Sequence, residues 1–303
     1  MNQKTVLVTG ASGMVASKLI DLLLQKGYRV NTLSRKPNQR KDVQSFLWNL
    51  DSKSIDEQAI LSANFIIHLA GESVAAERWT LSRKKKILDS RIDSTKLLMS
   101  VLKKHKHCLD GYIGASAIGF YGDRGTEALT ETSVAKKCFL SDVCIEWEQA
   151  HQQISDYTKR LVIFRIGVVL DKNEGALKEM MKAFPLSLNY LGDGKQSTSF
   201  IALDDLAKML VFSVEDSSIN GIYNAVGPEV LSNKQLISTL SRFKKPLLPI
   251  TSVPGFFLKA IMGEAAVIAL YSQNCSAEKI LSTGFVFDFP HLDLVFQHLF
   301  KKS

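Results

Sequence analysis

Cysteine is scarce in this chain and poorly placed for chemistry. The four cysteines, Cys108, Cys138, Cys144 and Cys275, form no metal-chelating or redox pair by spacing. That excludes a disulfide scaffold and a cysteine-ligated metal site, and leaves free thiols in a reducing, cytoplasmic compartment as the expectation. Long apolar runs are missing as well. The nearest approach, Val253 to Tyr271, is interrupted by Lys259, Gly263 and Glu264, so it reads as a partly buried helix and not a membrane span. Residues 1–10 lack the apolar core and cleavage site of a signal peptide. No internal repeat or low-complexity linker occurs. Acidic residues are the minority sign, 30 against 38 Lys and Arg, for a net charge of +8. The clusters Lys84-Lys85-Lys86 and Lys103-Lys104-His105-Lys106-His107 lie in or beside helical patterns without interleaved aromatics. They read as solvated helix faces, so no nucleic-acid partner is expected, while the same charge suits an anionic ligand.

What is present starts at Thr5-Val6-Leu7-Val8-Thr9-Gly10-Ala11-Ser12-Gly13-Met14-Val15-Ala16. An apolar, β-branched run enters a glycine turn, and the turn enters an amphipathic pattern ending near Lys26-Gly27. Strand, tight turn and helix in that order present backbone N–H groups and a helix N-terminus to a dinucleotide pyrophosphate. Gly10 permits the turn, Gly13 lets the backbone approach the phosphates, and Ala16 holds the third glycine position, where alanine is tolerated. A purely structural turn is the alternative. Strand-like runs at 5–9, 29–33, 45–49, 65–70, 111–116 and 161–169 alternate with helical spacing at 13–26, 80–104 and 140–155. A helix over 204–215 and a late strand over 221–226 follow. This order specifies an α/β fold, a Rossmann-type doubly wound parallel sheet with ligands at the carboxyl ends of its strands. Beyond Pro228 helices and short loops take over, with Ser232 and Ser276 as N-caps and Gly284 as a stop. The expected organisation is a dinucleotide-binding domain over 1–228, with 171–202 contributing to a substrate cleft, and a smaller, mainly helical C-terminal lobe over 229–303.

The end of the second strand discriminates between NAD and NADP. NAD sites place an acid there for the ribose 2′-OH. This chain reads Thr32-Leu33-Ser34-Arg35-Lys36, with no acid. Ser34 can donate to a 2′-phosphate and Arg35 can pair with it bidentately, so NADP(H) is the expected cofactor. A polar strand end followed by a surface arginine is the alternative. A second candidate segment is Ile66-Ile67-His68-Leu69-Ala70-Gly71-Glu72, whose small residues at a strand end would let the backbone lie along the adenosine.

Further segments complete a pattern. They are Arg78-Trp79 through Asp89-Ser90-Arg91-Ile92-Asp93-Ser94-Thr95, then Ala115-Ser116-Ala117-Ile118-Gly119-Phe120-Tyr121-Gly122, then Trp147-Glu148, Arg165-Ile166-Gly167-Val168-Val169-Leu170, Gly192-Asp193-Gly194-Lys195-Gln196 through Asp205-Leu206, and Gly263-Glu264-Ala265. The combination resembles an atypical extended short-chain dehydrogenase/reductase of the NAD-dependent epimerase/dehydratase superfamily, in its sugar-nucleotide-epimerase-like subgroup. The resemblance runs essentially end to end. It implies that Thr9, Gly10, Ser12, Gly13, Met14 and Val15 hold the pyrophosphate, that Ser34 and Arg35 take the 2′-phosphate, and that Leu69, Ala70 and Gly71 line the adenosine. It also implies that Lys86 and Arg91 on the long helix serve the cofactor, and that Val168 lies beside the nicotinamide. A small-molecule substrate and a homodimer are further expectations by analogy.

The chemistry departs from that pattern. Ordinary members combine a serine, a tyrosine and a lysine, the lysine lowering the tyrosine pKa and the tyrosine moving the proton. Ser116 fills the serine place. If Glu148 is the glutamate that follows the lysine, then Leu140 and Cys144 stand where tyrosine and lysine belong, and no Tyr-x-x-x-Lys occurs in the sequence. Tyr121 and Glu72 are the candidate replacements, Glu72 on condition that burial raises its pKa. Cys144 reads as packing. Thr198 replaces the arginine that often precedes an Asp-Phe/Tyr-Ile run in nucleotide-sugar epimerases, which weakens a nucleotide-sugar reading. The sequence therefore carries two expectations. One is an NADPH-dependent oxidoreductase or epimerase for a small carbonyl or sugar-like compound; the other is a non-catalytic NADPH-binding regulator or sensor.

Overall fold

The structure, a computed structural model, describes residues 3–37 and 40–301. Its centre is an eight-stranded sheet. The first six strands are β1 (Thr5–Thr9), β2 (Arg29–Ser34), β3 (Gln44–Asn49), β4 (Ser54–Ile55), β5 (Phe65–His68) and β6 (Gly111–Ala117); Leu161–Ile166 and Gly221–Ala225 complete it. β1 lies between β2 and β5, β6 continues beyond β5, and the two late strands follow, all parallel. Only β4, at the far edge, runs antiparallel, against β3. Strand order therefore reverses at β1, the switch point where open α/β sheets bind ligands beyond the strand ends. The inner strands are buried on both faces, β1 and β5 with large apolar residues and β6 with mostly small ones.

Four helices matter for the site: α1 (Met14–Gln25), α2 (Gln58–Leu61), α3 (Leu81–His105) and α4 (Phe139–Gln152). α1 turns Ala16, Leu19, Ile20 and Leu23 inward, the apolar stripe its spacing predicts. With the helix Leu203–Glu215 it covers one face of the sheet, while Leu98, Val101 and Leu102 of α3 pack on the other with Trp48, Ile60 and Tyr112. The basic clusters behave as solvated, ion-paired surface: Lys84 meets Glu264, Lys85 meets Asp89, and Lys104 and His105 share Glu57.

A separate core forms from Leu170, Leu177, Leu188, Phe200 and Ala202 with Leu236, Ile237 and Leu240 and with Leu292, Val295, Phe296 and Leu299. It holds the strands Val168–Leu170, Ser197–Ala202 and Val230–Ser232 in a small sheet. The segment 171–202 thus packs with the C-terminal residues. Cys275, Ala277, Ile280, Phe285 and Phe287 return to the main core, so chain beyond 228 contributes to both.

Three local expectations are corrected. The run 161–169 is two strands in two sheets, because at Gly167 the chain presses so close to the strand Ser197–Ala202 that a Cβ would stand 2.7 Å from the Ser199 carbonyl oxygen. The run 253–271 is no single helix. It is a strand residue, the helix Gly255–Met262, a 3-10 turn and the short helix Val267–Leu270, divided at Gly263 with φ 61°. Ala277 is the N-cap of Glu278–Leu281, although Ser276 still accepts the Glu278 amide through its hydroxyl. Ser232 caps its helix as expected, in a reciprocal box with Gln235. Among the described residues no helix is long and apolar enough to cross a membrane.

Candidate cofactor-binding site

The glycine turn is built as a cradle. Gly10 sits at φ 69°, and a Cβ there would stand 3.1 Å from backbone atoms of Leu69 and Ala70. Only glycine allows both the conformation and the approach. The Gly13 amide closes the turn on the Gly10 carbonyl at 2.9 Å. Ser12 and Gly13 are exposed, α1 has no side-chain cap and no acid in its first turn, and its leading N–H groups face the end of β1. Val15 packs at the edge of the main core, and Met14 reaches toward Gly175.

Thr9 is fully buried and works as a clasp. Its Oγ1 accepts from the amides of Leu69 (3.1 Å) and Ala70 (3.2 Å), and it lies 2.7 Å from His68 Nδ1. The two amides occupy its lone pairs, so its hydroxyl donates to that nitrogen. His68 Nε2 in turn reaches Ser94 Oγ on α3 at 3.1 Å. Burial, helped by the neighbouring His151, drives the His68 pKa well below its ordinary value and keeps the ring neutral. Thr9 therefore holds the turn after β1 and the loop after β5 in register by its side chain. His68 went unassigned in the sequence; a lone histidine inside an apolar strand was its only signal.

Arg91 buttresses the same loop from below. It donates to the Glu72 carbonyl (3.0 Å) and the Ile87 carbonyl (2.9 Å), stacks 4.8 Å from the Trp147 ring centre, and fills the space a Gly71 side chain would need. Lys86 is exposed one helical turn earlier and lines a cleft of about 920 Å³ together with Arg35, Trp48, Asn49, Asp51 and Glu72. Arg35 is largely exposed there and donates to Glu72 Oε1 at 3.2 Å, while the Ser34 hydroxyl donates to the Lys36 carbonyl.

Glu72 contradicts the condition set for it as an acid or base. Burial pushes its carboxyl up, but the hydrogen bond from Arg83 and the charges of Lys86 and Arg35 outweigh burial and hold its pKa below the ordinary value. It is an ion-pair centre held by Arg35 and Arg83, far in function from a proton donor.

Ser116 and Tyr121 belong to a different, closed network. Ser116 Oγ donates to Glu148 Oε1 at 2.7 Å. Arg165 grips Glu148 with two bonds, Nε to Oε1 at 2.8 Å and Nη2 to Oε2 at 2.9 Å, and donates through Nη1 to the Tyr121 hydroxyl at 3.1 Å. That hydroxyl donates to Asn224 Oδ1 at 2.7 Å. Glu148, Arg165 and Asn224 are all buried. Tyr121 has no exposed surface, and burial pushes its phenol up to about 12 against the pull of Arg165. Tyr121, a candidate replacement for the relay, thus has its hydroxyl enclosed and its donor spent. Arg165 was unassigned too, though a lone arginine within the apolar run Leu161–Ile166 marks a buried partner in wait.

Leu140 packs on Gly119, and Cys144 places its Sγ 3.6 Å from the Ala117 carbonyl. Burial, with Glu148 nearby, pushes the Cys144 thiol up to about 12, so it is packing. The α4 residues facing Ser116 thus offer neither a phenol nor an amine. Val168 pairs with Phe200 in the small sheet. Ser116 and Tyr121 are joined through Glu148 and Arg165, Glu72 pairs instead with Arg35 and Arg83, and among the described residues no three His, Cys, Asp or Glu side chains are arranged to hold a metal ion.

Comparison with known proteins places this arrangement. The model of the NAD dependent epimerase/dehydratase family matches residues 6–225, and a domain of unknown function, DUF1731, matches residues 253–299. The epimerase family protein YfhF of Bacillus subtilis is 32% identical over 300 residues, covering 97% of each chain. The mouse epimerase family protein SDR39U1 is 28% identical over 294 residues, covering 95% of this chain and 96% of its own. The crystal structure of human SDR39U1 with NADPH superposes with a TM-score of 0.88 at 26% identity, over 99% of this chain and 100% of that one. A UDP-glucose 4-epimerase of Thermus thermophilus, at 17% identity and a TM-score of 0.74, shares the fold. With its turn, sheet order and C-terminal segment all accounted for, the chain belongs to the NAD-dependent epimerase/dehydratase family.

Proposed function

We propose that this protein binds NADP(H) as a ligand whose occupancy is its output, without the tyrosine–lysine proton relay of its enzymatic relatives. One observation carries this reading. Both groups that could have replaced the relay are already engaged elsewhere: Tyr121 with Asn224 and Arg165, and Glu72 with Arg35 and Arg83. The residues present suit the dinucleotide. Gly10 leaves a cradle that a Cβ would fill, the exposed start of α1 faces it, and the cleft lined by Arg35 and Lys86 accepts an adenosine phosphate. In this reading Gly10, Ser12, Gly13, Met14 and Val15 hold the pyrophosphate, Leu69 to Gly71 flank the adenosine, Ser34 and Arg35 take the 2′-phosphate, and Val168 borders the nicotinamide; Thr9 and Arg91, expected among the cofactor contacts, support the turn and the loop from within instead. The NADPH in human SDR39U1 supports the cofactor choice.

When bound, the cofactor supplies hydride chemistry. A second reading, reduction of a small carbonyl or sugar-like compound, is favoured by one feature. The Ser116 hydroxyl, backed by the Glu148–Arg165 pair at the carboxyl end of β6, is the polar group best placed to turn toward a substrate oxygen. The test is a screen of aldehydes, ketones and sugar nucleotides that follows the absorbance of bound NADPH, paired with titration of the cofactor. Binding without oxidation is the expected result. Turnover that Ser116→Ala lowers by about 10²-fold at unchanged NADPH affinity overturns it in favour of the reductase.

A further inference from the structure

The Glu72 carboxylate lies between two arginines of opposite character. Its Oε2 accepts from Arg83 Nη1 at 3.2 Å, and Arg83 is 6% exposed, with its Nη2 also bonded to the Ser73 carbonyl. Its Oε1 accepts from Arg35 Nη1 at 3.2 Å, and Arg35 is 72% exposed. Arg83 is therefore a fixed anchor, and Arg35 a cation free to exchange partners. Lys86 stands near the same carboxylate on the cleft wall.

We propose that Glu72 is a specificity-determining residue that attenuates binding of a 2′-phosphorylated dinucleotide. The inference rests on the reading that Ser34 and Arg35 receive the 2′-phosphate. A phosphate dianion seated on Arg35 would lie within one guanidinium's width of a carboxylate that Arg83 prevents from withdrawing. Like charges at that range repel, and Arg35 must also surrender its bond to Glu72. Glu72 does orient Arg35, but an exposed pair contributes little preorganisation, so repulsion decides the sign. The unphosphorylated cofactor meets neither effect. Attenuation has a use here, because a site that is saturated under every condition reports nothing about its ligand.

The experiment is fluorescence titration of the full chain with NADPH and with NADH, for wild type, Glu72→Gln, Glu72→Asp and Arg35→Ala, with folding checked by circular dichroism. Glu72→Gln should lower the NADPH Kd about 3- to 10-fold and leave the NADH Kd within about 2-fold. Glu72→Asp keeps the charge and should stay near wild type; Glu72→Ser repeats the charge removal if the glutamine variant does not fold. Arg35→Ala should abolish most of the preference for NADPH. If Arg35→Ala does so while neutral Glu72 variants bind NADPH no more tightly, the attenuation is refuted and the 2′-phosphate reading stands. If Arg35→Ala leaves the NADPH-to-NADH ratio unchanged, the 2′-phosphate reading fails and takes this inference with it.

Discussion

At the scale of single residues, the glycine turn was legible because its requirement is local. Gly10 must adopt a positive φ and admit a neighbouring backbone, and both demands fall on one position. Partners distant in the chain were not legible. Arg35 and Glu72 stand 37 residues apart and Ser116 and Glu148 stand 32 apart, and their pairing exists only once the sheet has set strand order. Thr9 shows the same limit: its place in the motif was read from sequence, its work as a clasp was not. Thr9→Val keeps the shape and removes the hydroxyl, leaving two amides and His68 Nδ1 without their partner. Loss of about 2–4 kcal/mol in urea denaturation is expected, with weaker NADPH binding, whereas Thr9→Ser should retain most of both. Equal stability of the valine variant would remove the clasp from the account.

Among the elements, long periodic helices and buried strands came out within one to three residues of their sequence-based limits, because burial pattern alone defines them. The failures lie where backbone geometry overrides pattern. An apolar run that reads as one strand divides at Gly167, and one that reads as a helix divides at Gly263, both for reasons of close approach or positive φ. The end of α3 holds a related liability. Lys106 terminates the helix in the left-handed region, φ 50° and ψ 34°, where a side chain is strained. The three basic residues before it complement the helix dipole, so the conformation and not the charge is the defect. Lys106→Gly should stabilise by about 0.5–1 kcal/mol in thermal or urea unfolding. Lys106→Ala, still carrying a Cβ, should not.

For the molecule as a whole, two buried histidines tie stability to pH. His68 and His151 pack edge to face with ring centres 5.7 Å apart, and His151 bridges the Tyr112 hydroxyl (2.9 Å) and the Ala115 carbonyl (3.0 Å). Burial lowers the His151 pKa to about 4 and that of His68 well below its ordinary value. Unfolded histidines take a proton near pH 6.5 while these do not, so their share of stability is complete well above that pH. It falls as the solution is acidified toward the folded pKa. Between pH 6.5 and pH 5 His151 should forfeit about 1.5 kcal/mol, and His68 acts in the same direction. His151→Gln should flatten its share of that slope in denaturation series, and an unaltered slope would contradict the assignment. The joining of the two cores carries a mechanical corollary. The chain passes between them at Gly167, whose amide bonds the Ala225 carbonyl at 3.1 Å, and at Gly227, whose amide bonds the Phe200 carbonyl at 2.6 Å. Ser199 presses on the first crossing, and Cys275 to Phe287 add a third tie. Such a junction resists rotation as a welded bracket does, without the single pivot that a clamshell requires. In the proposed reading, ligand capture therefore falls to side chains at the rim, Arg35 foremost, over a frame that stays put.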